Sequence, residues 1–284
     1  MRAFWQDLGL PGLLDVHVHF LPPNIQKAVW SYFDQGGPKL GDPWGIRYRV
    51  DAAERLALLR AMGVRRFSTL PYAHKPGVAT YLNDWSREFA ATHEDVIWSA
   101  TLYPEPEAPA YVGELVGAGV GLFKVHTQVG EFHLDDPQLD EVWGLLEESG
   151  TPIVAHVGSG PIGNPFTGSE ATTRLLARFP RLALVIAHMG AREFADFLSL
   201  AVTYERVRLD TTMVFTDHFA VAYPTELVPR LVDLGDKILL GTDFPAIPYP
   251  YVHQLESLAR LGLGDDWLRR VCWHNAAALF GVPD

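Results

Sequence analysis

Five histidines and one aspartate close short apolar runs, at positions where packing alone calls for no polar residue. His17 and His19 stand in Asp15-Val-His-Val-His, and Lys124 and His126 in Phe-Lys-Val-His. His156 ends Val-Ala-His, His188 ends Ile-Ala-His, and Asp243 lies in Gly-Thr-Asp-Phe-Pro. Gathering several imidazoles and a carboxylate in one place without a cation costs several kcal/mol in desolvation. With a divalent cation among them the same set becomes a ligand shell. The chain has 1 cysteine, Cys272, so a thiolate zinc site is excluded and any ion is held by His and carboxylate. Imidazole and carboxylate donors suit Zn²⁺, and a coordination position left to water suits catalysis.

The elements that must position these groups are legible as apolar segments at 13–19, 64–71, 96–103, 120–126, 152–157, 182–188, 207–212 and 238–243. They are nearly continuous in Val, Ile, Leu and Phe, as in strands covered on both faces of a parallel sheet. Amphipathic helical stretches at 51–62, 77–93, 136–149 and 172–178 lie between them. Gly63, Gly150 and Gly235, just before strands, are expected to close helices in the left-handed conformation. Eight strands alternating with helices over 284 residues predict a single-domain α/β fold, a (β/α)₈ TIM barrel, and no glycine-rich dinucleotide fingerprint follows the first strand. Lys124, His156 and His188 are spaced by 32 positions each, about one strand-helix unit. Side chains two apart on a strand share a face, so His17 and His19 point toward the axis with Asp15 one layer deeper. Active sites of such barrels form at the C-terminal strand ends, where all these groups converge.

Residues 1–284 read as one domain. Residues 20–50 are too long for an ordinary strand-helix loop and are expected to form a lid or oligomer contact. A final helix is expected at 265–280. With 48% hydrophobic residues the chain can bury a large core, and a net charge of -11 without Lys/Arg clusters argues against nucleic acid. No secretory signal and no membrane span is evident, so a cytoplasmic protein acting on a small molecule is expected. Cys272, in an apolar stretch, is read as a buried filler. His74, His93, His133, His218, His253 and His274 are read as surface or packing residues, with His218 also able to line the pocket.

Taken together, Asp-Val-His17-Val-His19-Phe-Leu-Pro-Pro, Phe-Lys124-Val-His126, His156, Ala-His188-Met-Gly, Gly-Thr-Asp243-Phe-Pro and the terminal Asn275-Ala-Ala-Ala-Leu-Phe-Gly resemble the amidohydrolase superfamily. The likeness is to the group that contains aminocarboxymuconate semialdehyde decarboxylase, and it runs from residue 12 to the end. It implies a mononuclear site in which His17, His19, His156 and Asp243 bind one ion, usually zinc and sometimes manganese, with His188 beside the metal without ligating it. It also implies a homodimer. Thr127 stands where this group usually has proline.

On this reading a metal-activated water hydrolyses a small ester, lactone or amide. Asp243 moves the proton and His188 stabilises the developing oxyanion. Lys124 either neutralises local carboxylates or, carboxylated, bridges two metals with His156 and His188 on the second. The alternative reaction is non-oxidative decarboxylation, with Arg47, Arg49 or Arg192 holding the carboxylate. Trp44, Phe215 and Tyr249 are candidates for an aromatic wall.

Overall fold

The structure, a computed structural model, describes residues 2–36, 44–218 and 221–283. The apolar runs form parallel strand segments: β1 (Leu13–Asp15), β2 (Val64–Ser68), β3 (Val96–Ile97), β4 (Ser99–Thr101), β5 (Leu122–His126), β6 (Ile153–His156), β7 (Leu184–Ile186), β8 (Arg208–Asp210) and β9 (Ile238–Leu239). Pairing follows chain order within two runs, β1-β2-β3 and β4 through β9. The third expected strand is thus one strand interrupted at Trp98. The sheet closes on itself beyond β9: Val16 N donates to Leu240 O, Asp243 N to His17 O at 2.8 Å, and His19 N to Phe244 O at 2.8 Å. This is a TIM barrel of the α/β class.

Core residues such as Leu13, Phe67, Phe123, Ile153, Leu184, Leu209 and Ile238 are fully buried, as expected where helices cover a parallel sheet. Where strands diverge near the mouth, hydroxyls replace missing ladder bonds. Ser68 Oγ accepts from Val18 N and donates to Val16 O, and Thr101 Oγ1 accepts from Ala73 N and donates to Lys124 O. Buried backbone groups need partners, and side chains supply them here.

The expected helices form, as Ala52–Met62, Ala79–Ala91, Asp140–Ser149 and Ser169–Arg178. Asp51 caps the first by accepting from Glu54 N at 2.8 Å, and Gly63 closes it in the left-handed conformation at φ 90°. Gly150 does the same at φ 70°. Gly235 does not: the turn Arg230–Asp233 is closed by Leu234, so the third glycine expectation is corrected. The C-terminal stretch is helical throughout, as Asp265–Arg269, a π turn Arg270–His274 and Asn275–Phe280. Asn275 Nδ2 donates to the carbonyls of Gly235 and Ile238, fixing this stretch to the start of β9.

The expected insertion at 20–50 contains a helix, Pro23–Gly36, and part of it (37–43) lies outside the described residues. Its far end packs on the loop after β9. Trp44 Nε1 donates to Ala246 O at 2.7 Å, Arg47 N to Ile247 O, and Tyr251 N to the Tyr48 hydroxyl. The segment therefore rests on the loop that carries Asp243. Among the described residues, no helix is long and apolar enough to cross a membrane.

Candidate active site

The alternation along β1 continues past Asp15, bringing His17 and His19 to the barrel mouth. There they meet Asp243, which the strand-closing bond to His17 O holds in place. His19 Nε2 lies 2.9 Å from Asp243 Oδ1 and His17 Nε2 lies 3.8 Å from the same oxygen. One donor atom from each of these three residues falls within 4.8 Å of the others. His156 is not one of the three. Its ring stacks on His126 at 3.9 Å between centroids, as their pairing across β5 and β6 dictates, and stands 4.8 Å from the ring of His188. The His188 ring in turn stands 5.1 Å from that of His17. The five strand-end imidazoles thus line one arc of the mouth.

Hydrogen bonds set the tautomers. His17 Nδ1 meets Asp210 Oδ2 at 2.8 Å, and His19 Nδ1 meets the Leu70 carbonyl at 2.9 Å. A carboxylate or carbonyl there makes Nδ1 the donor and leaves Nε2 with a lone pair. In His19 the Nε2 atom faces the Asp243 carboxylate at 2.9 Å. A proton on the ring or a metal ion between the two atoms makes such a contact favourable. Burial drives His17 down to about 3, and Lys124 adds to the effect, so the ring is neutral at physiological pH. Burial also lowers His126, His156 and His188. Burial opposes the charge on Asp243, yet the hydrogen bond and charge of His19 hold its carboxyl well below the usual range. Two imidazole nitrogens converging on an ionised carboxylate fit a divalent ion.

Two features of the backbone accompany the site. Asp243 at φ 70° and His188 at φ 53° occupy the left-handed region although neither is glycine. Strain of this kind persists only where the surrounding structure fixes it, and it gathers at functional sites. Gly241 lacks a side chain where a Cβ would press into Thr212 Oγ1 and lie 2.9 Å from His17 Cβ and 3.1 Å from Asp210 Cγ. The close approach of His17 to Asp210 depends on that glycine.

Asp210 is a site residue that sequence reasoning missed. Its Oδ1 accepts from His188 N and Thr212 N while Oδ2 holds His17. Burial works against its charge, but the charge and hydrogen bond of His17 keep it below the usual carboxylate range. An acid within the apolar run Arg-Leu-Asp was a signal of the same kind as Asp243. Asp15 lies one layer deeper, as expected. It is fully buried and accepts from His17 N, the Thr242 hydroxyl and the Tyr251 hydroxyl, and burial raises it to about 7.

Lys124 is fully buried with Nζ 3.4 Å from His17 Nε2, and burial lowers it to about 8. Thr127, where proline was expected, donates its hydroxyl to His156 O at 3.0 Å and ties the ends of β5 and β6 together. The three arginines are exposed. Arg49 donates to Trp30 O and Asp34, and Arg192 to Pro161 O. Of the three aromatics, Trp44 stacks on Phe33, Phe215 meets Tyr223, and Tyr249 packs between His218 and His253.

A barrel with titratable groups converging on its C-terminal mouth defines a class of enzyme, and the amidohydrolase family model matches residues 14–282. The chain belongs to the amidohydrolase family and is an enzyme. No curated protein matches it. Its fold is similar to an uncharacterised TIM-barrel protein from Bordetella bronchiseptica (TM-score 0.76, 18% identity, 95% of this chain and 99% of that one). It is also similar to 5-carboxyvanillate decarboxylase from Novosphingobium aromaticivorans with bound manganese (0.67, 15%, 96% and 98%). A probable 2-pyrone-4,6-dicarboxylic acid hydrolase from Acinetobacter baumannii matches as well (0.64, 13%, 95% and 99%).

Proposed function

We propose that this protein is a metal-dependent hydrolase of a small ester, lactone or amide, with His17, His19 and Asp243 holding one divalent ion, Zn²⁺ by preference. The family resemblance adds His156 to the set, and its ring stands beside the trio, 4.8 Å from that of His188. The observation that carries the metal is the convergence of His19 Nε2 at 2.9 Å and His17 Nε2 at 3.8 Å on one Asp243 oxygen, where a single proton serves only one of the two rings. A bound ion supplies Lewis acidity, lowering the pKa of a water from 15.7 to about 7.

The residues of the chain do the rest. Asp243, kept ionised, takes a proton from the attacking water and returns it to the leaving group. His188 Nδ1 faces the Thr212 carbonyl at 3.1 Å, so its neutral ring offers Nε2 as an acceptor. His188 therefore orients the water or takes a proton, and only as an imidazolium would it stabilise an oxyanion. Asp210 fixes the His17 ring. The exposed Arg49 and Arg192 are engaged away from the cluster, which favours hydrolysis over a reaction that must grip a carboxylate. A cytoplasmic setting belongs to the same proposal.

One observation favours the second reading, decarboxylation of a small carboxylic acid. The buried Lys124 ammonium sits among the imidazoles, where a substrate carboxylate would find it. The fold neighbours include both a decarboxylase and a probable hydrolase. Screening the zinc- and manganese-loaded protein against lactones, esters, amides and aromatic carboxylates separates the two. Hydrolytic turnover lost on chelation and restored by metal supports the proposal, whereas CO₂ release without any hydrolysis replaces it by the second reading.

A further inference from the structure

We infer that Asp217, His218 and His253 form a second divalent-metal site, for a borderline transition ion such as Zn²⁺, Ni²⁺ or Cu²⁺. The inference is independent of the role given to His17, His19 and Asp243. Both imidazoles present Nε2 to the same Asp217 oxygen, His253 at 2.6 Å and His218 at 4.0 Å. One donor atom from each of the three lies within 4.8 Å of the others. A surface ion pair would need one imidazole, and it would contribute at most about 1 kcal/mol. Convergence of two imidazoles on one carboxylate oxygen is the pattern of a chelate. In a tetrahedral site with bonds of about 2.0–2.1 Å, neighbouring donors stand about 3.4 Å apart. The two separations found lie on either side of that value.

The donors come from two segments that buried residues already hold together. Asp217 and His218 lie in the turn after β8, and His253 in the first turn of the helix Tyr251–Ala259. Gln254, fully buried beside His253, accepts from Met213 N and donates to Thr211 O, fixing that turn against the helix. The Tyr249 ring, 1% exposed, packs on both imidazoles at 5.1 and 5.2 Å, and its hydroxyl donates to Gln254. The rings are therefore positioned before any ion arrives. Two imidazole nitrogens and a carboxylate oxygen suit Zn²⁺, Ni²⁺ or Cu²⁺ rather than Mg²⁺ or Ca²⁺. The exposure of Asp217 and His218 leaves the remaining coordination positions to water. A bound ion would pin the turn after β8 to the helix after β9, at the same end of the barrel as Asp243.

The test is metal counting by mass spectrometry on the untagged full-length chain, stripped with chelator and dialysed against a slight excess of Zn²⁺. Wild type should carry two ions and H218A/H253A one, with H17A/H19A also retaining one that vanishes when all four histidines are replaced. H218A/H253A carrying as many ions as wild type overturns the inference and leaves the first site standing. A single ion in wild type that survives H17A/H19A but not H218A/H253A overturns the first site instead. If H17A/H19A does not fold, Cu²⁺ electron paramagnetic resonance on wild type decides. A nitrogen-coupled component must disappear in H218A/H253A, and its persistence rejects the site.

Discussion

Asp210 at the end of β8 meets Nδ1 of His17 at 2.8 Å, and this contact decides which nitrogen of His17 faces Asp243. A carboxylate behind a ligand imidazole fixes the tautomer and raises its basicity. Asp210→Asn is expected to keep the fold and weaken zinc binding by about 10–100-fold. Competition with a chromophoric chelator measures this, and an unchanged affinity removes Asp210 from the site.

Asp243→Asn keeps a donor oxygen but loses the proton acceptor. Turnover should fall by about 10²–10⁴-fold, the usual contribution of a general acid-base group. Activity within a few-fold of wild type would assign the proton transfer to His188.

Gly241→Ala places a methyl group against Thr212, His17 and Asp210. Overpacking of this kind costs about 1–3 kcal/mol. Lower thermal stability and weaker metal binding should appear together, because the same atom crowds the core and the His17–Asp210 pair. Loss of stability with full metal affinity would separate the two effects.

Cys272 is a fully buried thiol that burial pushes up from 9.0 to about 12. Native protein should resist thiol reagents at pH 8–9 and react only on unfolding. The linked stability runs with the neutral form. Between about 9 and 12 the unfolded chain releases a proton that the folded chain keeps, so this contribution is present below 9 and lost as pH rises through that window. Rapid labelling without denaturant would contradict the burial.

Trp44→Ala removes the bond to Ala246 O and the stack on Phe33. The insertion should loosen from the loop after β9, seen as faster limited proteolysis within 20–50. Unchanged cleavage would mean that Tyr48 and the Arg47 backbone suffice to hold it.

The barrel and the polar strand ends were legible because charged and imidazole groups interrupt otherwise apolar runs at a repeating interval. Asp210 fits the same rule, but its neighbours Leu209 and Thr211 read as an unbroken strand and mask it. The pairing of His218 with His253 left no local pattern. His218 follows Asp217 in a turn while His253 lies on a helix, and only the fold brings His253 to that pair. Nor could the tautomers be read. They depend on the Leu70 and Thr212 carbonyls, whose positions follow from how the strands splay at the mouth. The commitments of Arg49 and Arg192 to Asp34 and Pro161 were equally hidden, because they depend on loop paths.

The seam between the first and last strands of the barrel also constrains the order of events during synthesis. His17 emerges from the ribosome early and Asp243 late, and the bonds from Asp243 N to His17 O and from His19 N to Phe244 O join them directly. No amino-terminal fragment ending before Asp243 can bring these three groups together, so on the proposed reading the ion enters only after Asp243 has been made.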